Sequence, residues 1–286
     1  MMVINFFGGP GAGKSTAAMR LTTLLSLSGC VAEYVPEFAK GQVWGQTAVT
    51  LRNQLWVLAN QEKPLDDLRR SGNVDFAVVD SPLPNSILYA PPETHESLKA
   101  LAMDLFRSYD NVNVFLNRTH AYQNEGRIHS ASESDELGRR IEALLHRSRA
   151  PVTRVETGAL PGEGLAKAVF LALEREGLVV ARGEAGREHV AAIKQEMRGK
   201  LLDAHGSPIV GRVEPMFAHD ARAALERARE ATAAPAKAPA LGGDYADLLP
   251  IPFSLAKPLA TPRIEASPEP VEPAAPRRIK APALSR

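Results

Sequence analysis

The sequence has little cysteine, few aromatic residues and no long apolar run. Cys30 is the single cysteine among 286 residues, so no intramolecular disulfide bond can form, which agrees with a reducing cytoplasm. No apolar run approaches the roughly 20 residues that a membrane-spanning helix requires. The first apolar run begins at Met2, which leaves no room for a signal peptide. These absences predict a cytoplasmic protein with no membrane partner.

Charge of neither sign predominates. There are 34 lysines and arginines against 33 aspartates and glutamates, which gives a net charge of +1. The net charge therefore argues neither for nor against a nucleic-acid partner, because a local patch of basic residues matters more than the net charge of the whole chain. With 44% apolar and 23% charged residues, the composition is typical of a soluble globular protein with one large or two small domains.

The most informative stretch is GGPGAGKST, which fits the phosphate-binding pattern G-x-x-x-x-G-K-[ST]. Its glycines let backbone N–H groups surround a polyphosphate, and the following helix adds positive charge at its N-terminus. We expect Lys14 to reach the β- and γ-phosphates and Ser15 to ligate Mg²⁺. The predicted ATP-binding residues are Gly8, Gly9, Pro10, Gly11, Ala12, Gly13, Lys14, Ser15 and Thr16.

The segments around this loop predict an α/β protein. An apolar run precedes the loop, as a buried strand requires, and a helical pattern from Ser15 to Ser28 follows it. Alternation of further strands and helices predicts a parallel sheet of about five strands with helices on both faces. The predicted strands cover 2–7, 30–35, 74–80, 111–117 and 151–158. The predicted helices cover 15–28, 51–64, 93–108, 133–146 and 164–176, with Pro64 kinking or ending the second and 41–50 irregular.

Acidic residues follow two of these strands, at the edge where open α/β sheets bind ligands. Asp80 ends the third strand and is expected to organise the metal shell. A hydroxyl acceptor needs a carboxylate within hydrogen-bond reach, and Glu37, after the second strand, is the first choice of general base. Asp80 is the second choice for that role. On the next helix, Gln54 and Gln61 form either a solvated face or a substrate contact.

Arginines follow the fourth strand in a polar segment that suits a lid over transferring phosphate. Arg118 and Arg127 lie nearest the strand, and we expect them to neutralise charge on the phosphoryl group.

Beyond the predicted P-loop domain of residues 1–177, a mostly helical appendage spans 178–230. Residues 231–286 form a Pro/Ala-rich tail predicted to be disordered, since its composition buries little apolar surface. Its one apolar island, 248–255, is a possible docking segment.

The motifs separate classes of P-loop protein. A GTPase would carry an N-K-x-D, which is absent, and a large ring-forming motor is disfavoured because the core has only about 176 residues. A kinase that transfers phosphate to a small hydroxyl acceptor remains.

The chain resembles the P-loop nucleoside and nucleotide kinases, in particular a phage-encoded branch similar to the ribosylnicotinamide kinases and thymidylate kinases. The resemblance covers about the first 176 residues and rests on FFGGPGAGKST at 6–16, VPEFAK at 35–40, VDSPL at 79–83 and YQNEGR at 122–127. Asp80-Ser81 stands where thymidylate kinases have Asp-Arg, which argues against thymidylate as acceptor. The resemblance implies ATP and Mg²⁺ as cofactors, the host cytoplasm as the compartment, and 5-hydroxymethyluracil in DNA as a candidate acceptor.

Three functions remain open, and they differ in the group that would accept the phosphate. The first is phosphorylation of the hydroxymethyl group of 5-hydroxymethyluracil in phage DNA, a step in thymine hypermodification. The second is a soluble nucleoside or nucleotide kinase, and the third is an ATP-gated interaction module without an acceptor. A DNA base would have to be flipped out and stacked on a ring such as Tyr34, Phe38 or Trp44. The oligomeric state is left open by the sequence.

Overall fold

The computed structural model describes residues 1–45, 47–118, 131–158, 160, 163–203 and 205–218, all within one compact unit. Three sequence predictions lie outside these residues. They are the role of Arg127 with its YQNEGR segment, the last part of the helical appendage at 219–230, and the tail at 231–286.

Five parallel strands form one sheet in the order β2-β3-β1-β4-β5. They are β1 (Met2–Phe7), β2 (Ala32–Val35), β3 (Phe76–Val79), β4 (Asp110–Asn117) and β5 (Thr153–Glu156). The central strand β1 pairs with two neighbours, so that Ile4 lies beside Val78 and Val112. The loop after β1 therefore starts from the middle of the sheet's carboxyl edge.

Eight α-helices and one 3₁₀ helix are found in the described part of the chain. They are α1 (Lys14–Leu27), α2 (Phe38–Trp44), the 3₁₀ helix (Ala48–Arg52), α3 (Gln54–Ser71), α4 (Asn85–Tyr89), α5 (Glu96–Arg107), α6 (Ala131–Ser148), α7 (Glu163–Arg175) and α8 (Gly183–Glu196). None of these helices combines the length and the apolar character that crossing a membrane demands.

Both faces of the sheet are buried, because successive side chains of a strand point to opposite sides. Ile4 and Phe6 belong to a cluster with residues of α1 and α7. Val3 and Phe7 belong to a second cluster with residues of α3, α5 and α6. The predicted α/β fold, a parallel sheet of five strands with helices on both faces, is confirmed.

Two local predictions were wrong. The segment 41–50, expected to be irregular, lies largely in α2 and the 3₁₀ helix, and α3 runs through Pro64 to Ser71. Proline inside a helix costs about 3 kcal/mol. Leu58 and Leu65, one turn on either side of Gln61, are fully buried in the core, and burial of a leucine contributes about 1.5–3 kcal/mol. Their packing offsets the cost, so the helix continues.

The described part of the predicted appendage contributes to the core. Val179, Val190, Met197 and Val210 belong to the cluster that also holds residues of α1 and α7. At the start of α8, both terminal nitrogens of Arg182 donate to the carboxylate of Asp75, each over 2.7 Å. This bidentate pair ties α8 to the turn before β3, because its fork geometry fixes both side chains.

Candidate active site

The polar residues predicted from the sequence follow neighbouring strands at the carboxyl edge of the sheet. The glycine-rich loop follows β1, Glu37 follows β2, Asp80 follows β3 and Arg118 follows β4. Because all five strands are parallel, these strand ends lie at the same edge. The crevice at this edge is where open α/β sheets bind their ligands.

The loop adopts a backbone path that side chains would obstruct. Gly8, Gly11 and Gly13 have φ values of 139°, 80° and 85°, in the region that favours glycine. A Cβ on Gly8 would lie only 2.6 Å from the carbonyl oxygen of Leu116 on β4. The loop therefore passes close to β4 and enters α1 directly, which places the helix N-terminus at its end. Backbone N–H groups and a helix N-terminus together form an anion-binding site.

Lys14 holds this loop in shape. Its Nζ donates to the carbonyl oxygens of Gly8 and Gly9, at 2.9 and 3.0 Å. The ammonium group thus lies at the loop that a polyphosphate would occupy.

The N-terminal turn of α6 packs directly on the loop. Ser134 Oγ donates to the carbonyl oxygen of Pro10 over 2.6 Å, and a Cβ on Gly9 would meet the carbonyl oxygen of Ser134 at 2.4 Å. Next to this contact, Arg118 at the end of β4 forms an ion pair with Asp135. Arg118 is thus placed between the loop's neighbour strand and α6. The structure does not describe Arg127, the other predicted lid residue.

Asp80 is 1% exposed and its two carboxylate oxygens differ in their surroundings. Oδ2 accepts a hydrogen bond of 2.7 Å from the Tyr34 hydroxyl on β2. Oδ1 is buried and has no hydrogen-bond partner among the described residues. Burial, and then the Asp80 carboxylate, raise the pKa of Tyr34, so its phenol stays protonated, and Ser15 opposes this rise through a hydrogen bond to it. Tyr34 therefore connects the loop serine with the carboxylate.

This arrangement fits a magnesium ion. An unpartnered buried acceptor costs about 1–3 kcal/mol, and a cation is a suitable partner for a carboxylate oxygen. Ser15 and Asp80 offer the oxygen ligands that Mg²⁺ prefers. The described segments contain no group of three or more acidic, histidine or cysteine side chains arranged to hold a metal ion. The protein would thus supply only part of the coordination shell, as is usual where phosphate and water complete it.

Glu37 lies on the other side of Asp80, between β2 and α2. It occupies the N-cap position of α2 with φ −65° and ψ 114°, and its side chain is half-buried. Its charge contributes to the raised pKa of Tyr34, so it acts on the same group as Asp80. The site therefore contains two carboxylates in different surroundings, one buried at the loop and one half-buried beyond it.

Of the two alternatives for Gln54 and Gln61, a solvated face or a substrate contact, the solvated face is wrong. They are 6% and 4% exposed, and both amides bond to backbone. Gln54 Nε2 donates to the carbonyl oxygen of Leu51, whereas Gln61 bonds to the two residues that flank Glu37. Local sequence patterns cannot indicate these partners, because Gln61 lies 23 and 25 residues from them.

The rings considered for stacking have separate surroundings. The hydroxyl of Tyr34 is bonded to Asp80, and Phe38 packs edge-on against Trp56, with ring centroids 4.8 Å apart. Trp44 at the end of α2 is 70% exposed. The sequence patterns did not single out Trp56, which lies in the first turn of α3 and contacts Phe38 of α2.

Comparison with known proteins identifies a family. Residues 3–161, more than half of the chain, match the family model described as an AAA domain. That stretch includes the loop, Glu37, Asp80 and Arg118. The curated proteins contain no match.

Two solved structures show distant likeness. The first is a deoxyadenosine kinase from M. mycoides with products dCMP and a flexible dCDP bound, at 16% identity and a TM-score of 0.39. The match covers 61% of this chain and 100% of that one. The second is the crystal structure of APE1195, at 16% identity and a TM-score of 0.33, covering 61% of this chain and 95% of that one. At these TM-scores neither likeness carries an argument.

Proposed function

Because the chain belongs to the AAA domain family, whose matched region contains the phosphate-binding loop, we propose that it is an ATP-dependent kinase. The observation that carries this proposal is the pair of carboxylates beside the loop. Asp80 is buried with one unpartnered oxygen, and Glu37 is half-buried in a separate position. A carboxylate that holds a metal shell needs a free oxygen directed at the metal, as Asp80 has. A carboxylate that takes a proton from an acceptor has to lie apart from the metal, as Glu37 does. Hydrolysis would use such a carboxylate to position water, so the label from the γ-phosphate has to distinguish transfer from hydrolysis.

The reaction transfers the γ-phosphoryl group of ATP to a hydroxyl. The acceptor oxygen forms a bond to the γ-phosphorus as the bond to the β–γ bridging oxygen breaks, and ADP leaves. Loop N–H groups and the N-terminus of α1 bind the phosphates, while Lys14 neutralises their charge. Glu37 accepts the proton that the acceptor hydroxyl releases.

Ser15 and Asp80 would hold Mg²⁺, with Asp80 offering its unpartnered Oδ1. When bound, the ion neutralises charge on the β- and γ-phosphates. Tyr34 has the supporting role of fixing the Asp80 carboxylate through Oδ2. A fixed carboxylate loses less entropy on binding a ligand, so this hydrogen bond prepares the site.

Arg118 and Arg127 are proposed to stabilise charge on the transferring group. Arg118 is paired with Asp135 on α6. Its participation therefore requires the guanidinium to exchange this partner for phosphate. Arg127 enters the proposal from its sequence position alone.

For the acceptor, we favour a pyrimidine base that carries a hydroxyl, most concretely the hydroxymethyl group of 5-hydroxymethyluracil in phage DNA. The sequence resemblance suggests this substrate. The exposed residues from α2 to the start of α3 support it. The rings of Trp44 and Trp56 are exposed there, as are Lys40 and Arg52, and Arg52 faces Glu93 at 3.9 Å. Aromatic rings with interspersed cations are typical of surfaces that bind single-stranded nucleic acid. A free nucleoside or nucleotide is the alternative acceptor, and an ATP-gated module without an acceptor is the third candidate.

One assay separates these candidates. The protein is incubated with ATP labelled at the γ-phosphate and with free nucleosides, nucleotides, unmodified DNA or DNA that contains 5-hydroxymethyluracil. We expect label in the modified DNA only. Label in a free nucleoside or nucleotide would identify the alternative, and ATP binding without transfer to any member of the panel would contradict the kinase proposal. Trp44→Ala should weaken binding of the DNA acceptor, because stacking contributes about 1–3 kcal/mol per base.

A further inference from the structure

We infer that Gln61 is a positioning residue for the candidate base Glu37. The inference rests on the proposed function, since it assigns to Gln61 a task within that same site. It goes beyond the site described so far because Gln61 belongs to α3 and reaches Glu37 only through backbone.

One amide group bonds to both peptide units that contain Glu37. Gln61 Nε2 donates to the carbonyl oxygen of Pro36 over 3.1 Å, in the peptide that precedes Glu37. Gln61 Oε1 accepts from the backbone N–H of Phe38 over 2.9 Å, in the peptide that follows it. The two bonds fix both peptide planes and therefore the φ and ψ angles of Glu37. The direction in which its side chain leaves the backbone is set by these angles.

The segment that Gln61 holds lies at the surface of the protein. All seven residues of α2 are described, and none of them is buried. A helix of this length is marginal without tertiary packing. The Glu37 side chain makes no capping hydrogen bond at the start of that helix. The two hydrogen bonds of Gln61 and the packing of Phe38 on Trp56 therefore attach this surface segment to α3.

Gln61 itself is rigidly placed. It is 4% exposed and lies between Leu58 and Leu65, both of which are 1% exposed in the core cluster on that face of the sheet. Its amide group thus holds the loop after β2 in a fixed position relative to the core. Catalytic groups need this kind of support, because a displacement of about 1 Å can cost roughly 10²-fold in rate.

The test is a double-mutant cycle with Gln61→Met and Glu37→Gln, using the γ-labelled ATP assay. Methionine keeps the length of glutamine but provides neither hydrogen bond. In the wild-type background we expect Gln61→Met to lower kcat by roughly 10- to 100-fold, within the range that loss of orientation produces. In the Glu37→Gln background it should lower kcat by less than about twofold, because the group it positions is gone. An equal fold loss in both backgrounds would overturn the inference and show a general structural effect.

Gln54→Met is the matched control. It makes the same substitution on the same buried face of α3, but the Gln54 amide bonds to Leu51 and not to the Glu37 segment. We expect a comparable loss of thermal stability, and we expect the effect of Gln54→Met on kcat to be the same with and without Glu37.

If Gln61→Met does not fold, Gln61→Glu replaces it, since a carboxylate still accepts from Phe38 but cannot donate to Pro36. A kcat loss for this variant that persists in the Glu37→Gln background would again overturn the inference.

Amide hydrogen exchange provides a readout that needs no activity. Gln61→Met should speed exchange of the Phe38 N–H, and Gln54→Met should leave it unchanged. Unchanged exchange in both variants would contradict the inference. Failure of the proposed function is distinguishable, because it shows as absence of transfer by the wild-type protein, whatever the state of the Phe38 amide.

Discussion

Gly9→Ala tests whether contact between α6 and the phosphate-binding loop maintains the site. A Cβ at this position would lie 2.4 Å from the carbonyl oxygen of Ser134 and 3.0 Å from its Oγ. Non-bonded heavy atoms are most favourable about 3.5–4.0 Å apart. The first turn of α6 or the loop therefore has to move by about 1 Å, and the hydrogen bond from Ser134 Oγ to Pro10 is lost or lengthened.

The expected magnitude follows from these two changes. Overpacking of a tight contact costs about 1–3 kcal/mol. Loss of the hydrogen bond between Ser134 and Pro10, 2.6 Å long, adds about 0.5–1.5 kcal/mol. We expect the free energy of unfolding to fall by about 2–4 kcal/mol. ATP affinity should fall as well, because the displaced carbonyl groups belong to the loop that Lys14 closes.

Urea unfolding and ATP titration measure both effects, with Gly138→Ala as the control. Gly138 lies on α6 at the same contact, but its Cβ would be 3.8 Å from the Gly9 nitrogen, which is an ordinary distance. Alanine in a helix interior is favoured over glycine by about 0.5–1 kcal/mol, so this variant should be as stable as wild type or more stable. A Gly9→Ala protein with wild-type stability and wild-type ATP affinity would refute the reasoning.

Three further predictions concern single side chains. Lys14→Ala should abolish transfer while the protein stays folded, because the Lys14 ammonium group bonds to carbonyl oxygens of the loop and lies outside the hydrophobic core. Circular dichroism checks the fold, and an active variant would contradict the phosphate-loop assignment. Glu37→Gln should lose about 10²–10⁴-fold in rate and retain ATP binding, because it removes the base. Asp80→Asn should need more Mg²⁺ for activity and be partly rescued by Mn²⁺, because it removes a metal ligand. If a metal titration finds the altered metal requirement in Glu37→Gln and not in Asp80→Asn, Asp80 is the base. Burial and the hydrogen bond to Glu62 raise the pKa of Tyr109, so its contribution to stability is complete below about pH 10 and is lost as the pH rises through the folded-state pKa. The stability difference between wild type and Tyr109→Phe should therefore be smaller at pH 11 than at pH 8 in urea unfolding, and an equal difference would count against this linkage.

Local sequence patterns were sufficient to predict the sheet and the loop. The strands are apolar runs that need only be buried on both faces, and Met2–Phe7 was predicted with its observed bounds. The loop was predictable because its glycines and Lys14 occupy fixed spacings. Asp80 and Glu37 could be placed at the same edge of the sheet because the carboxyl ends of parallel strands lie together, which is a consequence of topology.

Contacts between distant segments could not be predicted from these patterns. The continuation of α3 through Pro64 depends on core packing of Leu58 and Leu65, which outweighs local propensity. The roles of Tyr34 and Gln61 depend on partners 46 and 23 residues away, and neither residue type indicates such a partner by itself. The ion pair of Arg118 with Asp135 likewise appears only once α6 is placed beside the loop.

Transfer of the γ-phosphoryl group itself is tested most directly by comparing two positions of the label. Wild type and Lys14→Ala are incubated with ATP labelled at either the γ- or the α-phosphate, together with DNA that contains 5-hydroxymethyluracil and with free nucleosides and nucleotides. The proposed mechanism predicts label in an acceptor from γ-labelled ATP alone, and only with the wild-type protein. Release of the γ-label solely as inorganic phosphate, with every acceptor, would show an ATPase and contradict the central claim.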